Sequence, residues 1–234
     1  MAKEADKSCK KQSGKNGMDK SELRRQILSV RDRLEPEVRA RYDERIRERV
    51  FAHPVYRAAQ IILAYAGYRS EVDTAVMIRR ALDDGKYVFA PKVCGTEMEF
   101  WQITSPEDLH SGYKGIPEPV ERVSFPEWIG QSQDPESKGT EREPLRRIRQ
   151  NVMLWMPGAV FDRERNRIGY GKGFYDRYLG RLCGSGREKR ICGVRTEFIL
   201  TTAALAYTCQ LVQELPCEAH DVKPDIVITE VGIL

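Results

Sequence analysis

From Arg167 to Asp176 the chain reads Arg-Ile-Gly-Tyr-Gly-Lys-Gly-Phe-Tyr-Asp. Three alternating glycines, Gly169, Gly171 and Gly173, let a backbone turn tightly and expose its N–H groups. Ahead of a helix, those groups and the helix start form an anion site suited to phosphate. Arg167 and Lys172 add positive charge at the same place. Asp176, one short step into the helix, is a candidate ligand for a Mg²⁺ ion that bridges phosphate oxygens. The plain alternative is a glycine-rich turn whose charges only face water. Glycines alone would favour it, and the added Arg, Lys and Asp at a strand–helix junction turn the balance to phosphate. The familiar phosphate motifs are missing. Gly171-Lys172 is followed by Gly173 rather than Ser or Thr, and Phe174 and Asp176 stand where a closing glycine would be. An ordinary P-loop enzyme or a dinucleotide-binding dehydrogenase is therefore disfavoured.

Such a loop needs a strand to deliver it and a helix to leave by. Residues 152–156 read as the strand, followed at once by Pro157-Gly158, and residues 175–182 read as the helix. Upstream, 61–66 is a buried strand with 67–70 as its exit loop, and 72–82 is a helix closed by Gly85. Residues 87–90 form the next strand, ended by Pro91, and 99–103 a further short one. Residues 204–207 and 226–229 read as late strands. Near the N-terminus, Leu23, Ile27, Val30 and Leu34 recur at helical spacing from Asp19 onward. A second helix starts at Pro36, carries Val38, Tyr42, Ile46 and Val50 on one face, and stops before Pro54. Strands alternating with helices predict an α/β fold, a three-layer α/β/α sandwich around a mainly parallel sheet. Ligands of such sheets bind at the carboxyl ends of strands, so the loops after Ala66 and Met156 are the places to look.

The composition limits the rest. In 234 residues, 39 basic side chains against 35 acidic ones leave a net charge of +4, and 41% of residues are apolar. This is enough to bury a core and argues against wholesale disorder. No run approaches a membrane span of roughly 20 apolar residues. The first residues lack the apolar stretch of a signal peptide, and none of the six cysteines forms a C-x-x-C pair. A cytoplasmic, reducing setting fits. Residues 1–18 read as a disordered tail ahead of one domain at 19–234, with a surface insertion at 131–150. Residues 184–189, with Gly-Ser-Gly inside, read as a flexible connection. Six lysines within residues 1–20 invite a nucleic-acid reading, but Glu4, Asp6 and Asp19 sit among them and no basic stripe with exposed aromatics follows.

The glycine-rich segment strongly resembles the signature of the 5-formyltetrahydrofolate cyclo-ligase family: Pro-Gly, then Phe-Asp, then Arg-x-Gly-x-Gly-x-Gly-x-Tyr-Asp. Pro157-Gly158, Phe161-Asp162 and residues 167–176 match it. Lys20 and Arg24 resemble the family's N-terminal basic pair, which contacts ATP phosphates, and Glu71 its folate-binding glutamate. Residues 115–119, Gly-Ile-Pro-Glu-Pro, resemble its Gly-x-x-Glu-Pro turn, and Leu215-Pro216 with His220-Asp221 its C-terminal element. The resemblance implies ATP- and Mg²⁺-dependent closure of 5-formyltetrahydrofolate to 5,10-methenyltetrahydrofolate, through a phosphorylated formyl group, with ADP and phosphate released. It implies Arg167 and Lys172 as catalytic residues. Lys20, Arg24, Arg167, Gly169, Gly171, Lys172, Gly173 and Tyr175 would bind ATP. Ala66, Glu71, Tyr170 and Phe174 would bind the folate, and Asp176 and Asp221 the metal. The partners are then the folate and ATP, without nucleic acid or membrane, in a monomer or weak homodimer.

Each of these residues also has a plainer reading. Glu71 could be an acid at a helix N-terminus. Lys20 and Arg24, one turn apart, could be an ordinary wet face. Tyr170, Phe174 and Tyr175 could stack on a pterin or could be core. Asp221 could be a turn residue, and Trp155 is read as packing. Two other functions stay open on the residues: another phosphate-binding enzyme of this fold, such as a sugar-phosphate isomerase, or a basic nucleic-acid-binding module. Residues 131–150 and 190–204 are longer than the family needs, with 205–212 resembling its usual late strand.

Overall fold

The computed structural model describes residues 19–131, 150–182, 188–189, 198–216, 218 and 221–234. The expected tail at 1–18, nearly all of the insertion at 131–150, most of the connection at 184–189 and His220 lie outside the described residues.

The chain opens with helices α1 (Lys20–Asp32), α2 (Pro36–Ala52) and α3 (Pro54–Ala58). It continues through β1 (Ile61–Leu63), α4 (Ala75–Asp83), β2 (Tyr87–Cys94), β3 (Glu97–Ile103), β4 (Leu109–Ser111), β5 (Pro117–Pro119) and α5 (Phe125–Gln131). After β6 (Gln150–Met156) come β7 (Val160–Asp162), β8 (Arg167–Ile168) and α6 (Phe174–Leu182). Last are β9 (Glu188–Lys189), β10 (Phe198–Leu205), β11 (Leu211–Val212) and β12 (Ile226–Ile228). The main sheet runs β12-β10-β6-β1-β2-β3, with β9 beside β10. The pairs β1–β2, β1–β6, β6–β10 and β10–β12 are parallel, and β3 is an antiparallel edge on β2.

Alternation along the strands makes the layers. Ile62 and Ala64 face Ile46, Val50, Met77, Ile78 and Ala81 of α2 and α4. Ile61 and Leu63 face Phe125 and Ile129 of α5 and Tyr178, Leu179 and Leu182 of α6. Both faces of β1 are fully buried, so its apolar run is continuous rather than alternating. Each such side chain contributes about 1.5–3 kcal/mol on burial. The α/β/α sandwich around a mainly parallel sheet is as predicted. Trp155 is fully buried in the core, as read. Among the described residues no helix is long and apolar enough to cross a membrane.

Four local expectations are corrected. The strand at 87–90 does not end at Pro91; β2 runs to Cys94, with Pro91 opposite Phe100 of β3. The carbonyl of Phe89 points to β1, accepting from the Ala64 N–H. Two residues on, the missing Pro91 N–H therefore points to the same side, where β1 has already ended. In α1, Leu23, Ile27 and Leu28 pack inward, whereas Val30 is 47% exposed. The helix expected over 72–82 begins only at Ala75, because 71–74 is held as a loop. The late strand lies upstream of 204–207, at Phe198–Leu205, and residues 205–212 are a turn leading into the short β11 rather than a strand.

Strand order positions the site. From β1 the chain goes to β2 on one side, while β6 lies on the other. The loops that leave the carboxyl ends of β1 and β6 thus border a crevice at the point where the strand order reverses.

Candidate active site

The loop from β6 is built in two steps. Pro157-Gly158 leads into β7, which turns back through β8. Asp162 is 1% exposed and ties this hairpin together. Its carboxylate accepts from the Asn166 backbone and side chain and from the Leu215 N–H, at 2.7–3.0 Å. The Phe-Asp motif is therefore structural. A Cβ at Gly158 would lie 2.3 Å from the Phe161 ring, so Gly158→Ala must displace a buried aromatic. It is expected to lower stability by about 1–3 kcal/mol in thermal unfolding. Gly180→Ala, where nothing lies within 4 Å, is the control and should not lower it.

Residues 169–173 then carry the chain into α6. Gly171 and Gly173 have φ of +87° and +63°, which other residues adopt only under strain. The Arg24 side chain closes over this turn: Nε donates to the Gly169 carbonyl at 2.7 Å, and the guanidinium lies beside Gly171. Arg177 holds it from the other side, donating to the carbonyls of Lys172 (2.8 Å) and Thr96 (2.5 Å). Lys172 itself is exposed.

Arg167 turns inward, its side chain 4% exposed, and Nη2 donates to Asp176 Oδ1 at 2.7 Å. The same oxygen accepts from the Val222 N–H at 3.2 Å, which brings the segment after Asp221 to the start of α6. Arg167 Nε has no hydrogen-bond partner among the described residues. Asp221 Oδ2 accepts from Lys20 Nζ and from the Glu218 N–H, each at 2.8 Å, and Lys20 also bridges to Glu218 at 2.9 Å.

The loop from β1 forms the other wall. Thr74 Oγ1 donates to the Tyr65 carbonyl at 2.6 Å and accepts from the Gly67 N–H at 2.9 Å. The Tyr65 hydroxyl reaches the Val72 carbonyl. So stapled, the loop turns Glu71 inward, with its Oε2 accepting from the Tyr68 N–H at 3.0 Å. Glu71 precedes α4 by four residues and is not a helix-end acid. Burial pushes its carboxyl above the usual range, against hydrogen bonds from the Tyr170 hydroxyl and the Tyr68 N–H and the nearby Arg31 charge. Tyr170 is 41% exposed overall, yet its hydroxyl lies between the Arg31 guanidinium at 2.8 Å and Glu71.

Ala66 is buried where the loop leaves the sheet. Phe174 packs at the edge of the α6-side core with the Arg177 guanidinium over its ring. Tyr175 packs edge-on against Phe100, and burial followed by the Glu71 charge raises its phenol far above its ordinary range.

Sequence reasoning missed Arg31 and Arg177. Arg31 had a readable signal: Lys20, Arg24 and Arg31 stand at spacings of four and seven, one face of α1. Arg177 had none, because what it holds in the turn is the Lys172 backbone carbonyl, a partner no residue type reports.

Asp176 and Asp221 are carboxylates of the kind a hard cation takes one or two of, and here each is paired with a basic side chain, Arg167 and Lys20. No group of three or more His, Cys, Asp or Glu side chains forms a preassembled cage among the described residues.

A family model described as the 5-formyltetrahydrofolate cyclo-ligase family matches residues 16–230. Mouse 5-formyltetrahydrofolate cyclo-ligase is 28% identical over 220 residues, spanning 93% of this chain and 94% of the mouse protein. The Escherichia coli K12 protein of the same name is 24% identical over 206 residues, 87% of this chain and 96% of its own. The NMR structure of Aquifex aeolicus 5,10-methenyltetrahydrofolate synthetase superposes with a TM-score of 0.67 at 29% identity, covering 92% of both chains. A synthetase from Mycoplasma pneumoniae shares the fold at a TM-score of 0.60 and 22% identity. A match of this extent, met by relatives alike over nearly their whole length, settles the kinship: the chain belongs to the 5-formyltetrahydrofolate cyclo-ligase family and is a ligase of folate metabolism.

Proposed function

We propose that this protein closes 5-formyltetrahydrofolate to 5,10-methenyltetrahydrofolate at the expense of ATP. The observation that carries the reading is the Arg31 guanidinium, which donates to the Tyr170 hydroxyl of the glycine-rich turn at 2.8 Å and to Ser70 of the opposite loop, next to Glu71, at 3.0 Å. An anion-binding turn and a half-buried carboxylate are thereby neighbours, as a reaction between a phosphate donor and a pterin requires.

The formyl oxygen of the substrate is amide-like and leaves poorly until phosphorylated. The γ-phosphoryl group passes to that oxygen, N10 attacks the activated carbon, and phosphate departs. What the protein supplies is position and charge. The N–H groups of 169–173 cradle phosphate oxygens, and Lys20, Arg24 and Lys172 surround them with positive charge. Arg167 holds Asp176 and keeps one N–H in reserve. Glu71 receives the N–H donors of the pterin, and Tyr170 and Phe174 border its ring. Asp176 and Asp221 would hold Mg²⁺, which neutralises phosphate charge when bound. The scattered cysteines, of which Cys94 and Cys209 are free thiols, suit a reducing cytoplasm.

Turnover of 5-formyltetrahydrofolate with ATP and Mg²⁺, followed by the near-ultraviolet absorbance of the methenyl product, tests the reading. No ATP-dependent product would sink it. Lys172 is exposed and its side chain holds no ion pair or hydrogen bond among the described residues, so Lys172→Ala should slow turnover without lowering the melting temperature. A charge-assisted contact of about 1.5–3 kcal/mol corresponds to roughly one to two orders of magnitude in rate. Wild-type turnover in this variant would leave Lys172 in solvent.

A further inference from the structure

Arg31 is a buried guanidinium, 4% exposed, in the last turn of α1. Its described partners are two hydroxyls. Nη1 donates to Tyr170 Oη at 2.8 Å, and Nε donates to Ser70 Oγ at 3.0 Å. Each hydroxyl has a carboxylate behind it: the Tyr170 hydroxyl stands beside Glu71, and Ser70 Oγ donates to Asp32 Oδ1. The guanidinium carbon also lies 5.8 Å from the centre of the Tyr170 ring. Taking a guanidinium out of water is costly, so its neighbours must return the lost hydration.

The chemistry of the donors sets which way these contacts run. Arginine only donates. A hydroxyl that accepts from it is left to donate onward. Tyr170 is thus free to donate to the Glu71 carboxylate beside it, and its oxygen cannot swing away without stranding a buried guanidinium N–H. We propose that Arg31 is a positioning residue, acting through Tyr170 to hold the Glu71 carboxylate ionised and fixed in orientation for the folate.

This rests on the reading of Glu71 as the carboxylate that receives the pterin. It goes beyond that reading because Arg31 touches neither substrate in it. The groups facing Glu71 are Arg31 from α1, Tyr65 and the Tyr68 N–H from its own loop, Tyr170 and Tyr175 from the glycine-rich turn and α6, and the Tyr207 hydroxyl at its backbone carbonyl. Arg31 is the one cation among these groups. Its loss leaves burial unopposed by positive charge and moves the Glu71 titration upward, so less carboxylate is ionised at a given pH.

The experiment compares Arg31→Met, Arg31→Lys and Tyr170→Phe in the turnover assay, with Glu71→Gln as reference. Arg31→Met is expected to raise KM for 5-formyltetrahydrofolate on the order of tenfold, the scale of one charge-assisted hydrogen bond, with KM for ATP little changed. The acid limb of kcat/KM for the folate should move to higher pH, so the defect shrinks as pH rises. Arg31→Lys should restore part of both effects. Tyr170→Phe should act in the same direction, and the double variant should be no worse than the larger single one.

A lowered melting temperature with an unchanged folate KM and acid limb in Arg31→Met would make Arg31 structural only and overturn the proposal. Should Arg31→Met fail to fold, Tyr170→Phe and Arg31→Lys decide on the same two readouts. A normal folate KM in Glu71→Gln would overturn both this inference and the placement of Glu71. A normal Arg31 series beside a defective Glu71→Gln would overturn this inference alone.

Discussion

Asp176→Asn is expected to cut turnover by roughly a hundredfold or more, raise the Mg²⁺ concentration for half-saturation, and weaken nucleotide binding. The substitution keeps the size and shape of the side chain and removes the anion that a hard cation prefers. It also touches the fold. Asp176 faces Arg167, whose side chain is 4% exposed, and also accepts from Val222. The asparagine oxygen still accepts from both, so the buried guanidinium is not stranded. The loss is the charge in one buried contact, about 1–2 kcal/mol. For a chain of this size that lowers the melting temperature by roughly 2–8 °C. Two roles of Asp176 are thus separable. If it only anchors Arg167, the variant melts earlier while its rate and Mg²⁺ half-saturation stay normal. Arg167→Met provides the other side of the comparison: it breaks the anchor and leaves the carboxylate in place. A metal role predicts that Mg²⁺ half-saturation moves further in Asp176→Asn than in Arg167→Met.

The layers of this fold were legible because the periodicity was strong. Residues 61–63 and 152–156 are apolar on both faces, which only a doubly covered parallel sheet explains, and the glycine turn between a strand and a helix was plain from residue types. Pro91 misled because a missing N–H forbids a strand only where a neighbour wants it, and β1 ends short of it. The register of α1 misled because a helix wedged between a hairpin and a loop turns by its contacts, choosing Leu28 over Val30. Kinship with the cyclo-ligases was legible from the spacing of Arg167, the glycines and Asp176. The way the wall residues are joined was not. Lys20 to Asp221 spans 201 positions, and Arg31 to Tyr170 spans 139. No local pattern reports which carboxylate or hydroxyl a long cation will find across the crevice. Glu71 shows the same limit: its neighbours in sequence suggest a helix-end acid, and only the loop stapled by Thr74 reveals an inward carboxylate.

Glu71→Gln is the second large effect, and its sign differs between function and stability. A pterin presents adjacent N–H donors that one carboxylate receives together, and an amide can accept only one while opposing the other with its own NH₂. Loss of a charge-assisted contact of about 1.5–3 kcal/mol raises KM for the folate roughly ten- to a hundredfold, while KM for ATP stays near normal. The folded protein, by contrast, should not suffer. The Glu71 carboxyl is raised above its ordinary value chiefly by burial. A raised carboxyl contributes stability below its unfolded pKa and loses it as pH climbs through the folded one. At neutral pH the ionised Glu71 is therefore a burden on the fold that glutamine does not carry. Glu71→Gln is expected to melt at or above the wild-type temperature at neutral pH, with that advantage fading as the pH falls toward the unfolded carboxyl range. The wild-type kcat/KM for the folate should fall on the same acid side, since protonation removes the acceptor that the pterin needs. Melting temperature and folate KM measured on one preparation across that range decide the matter. A variant that melts early at neutral pH would make Glu71 a structural residue. One that melts late and binds folate poorly has traded recognition for stability, as expected of a carboxylate kept buried for its substrate.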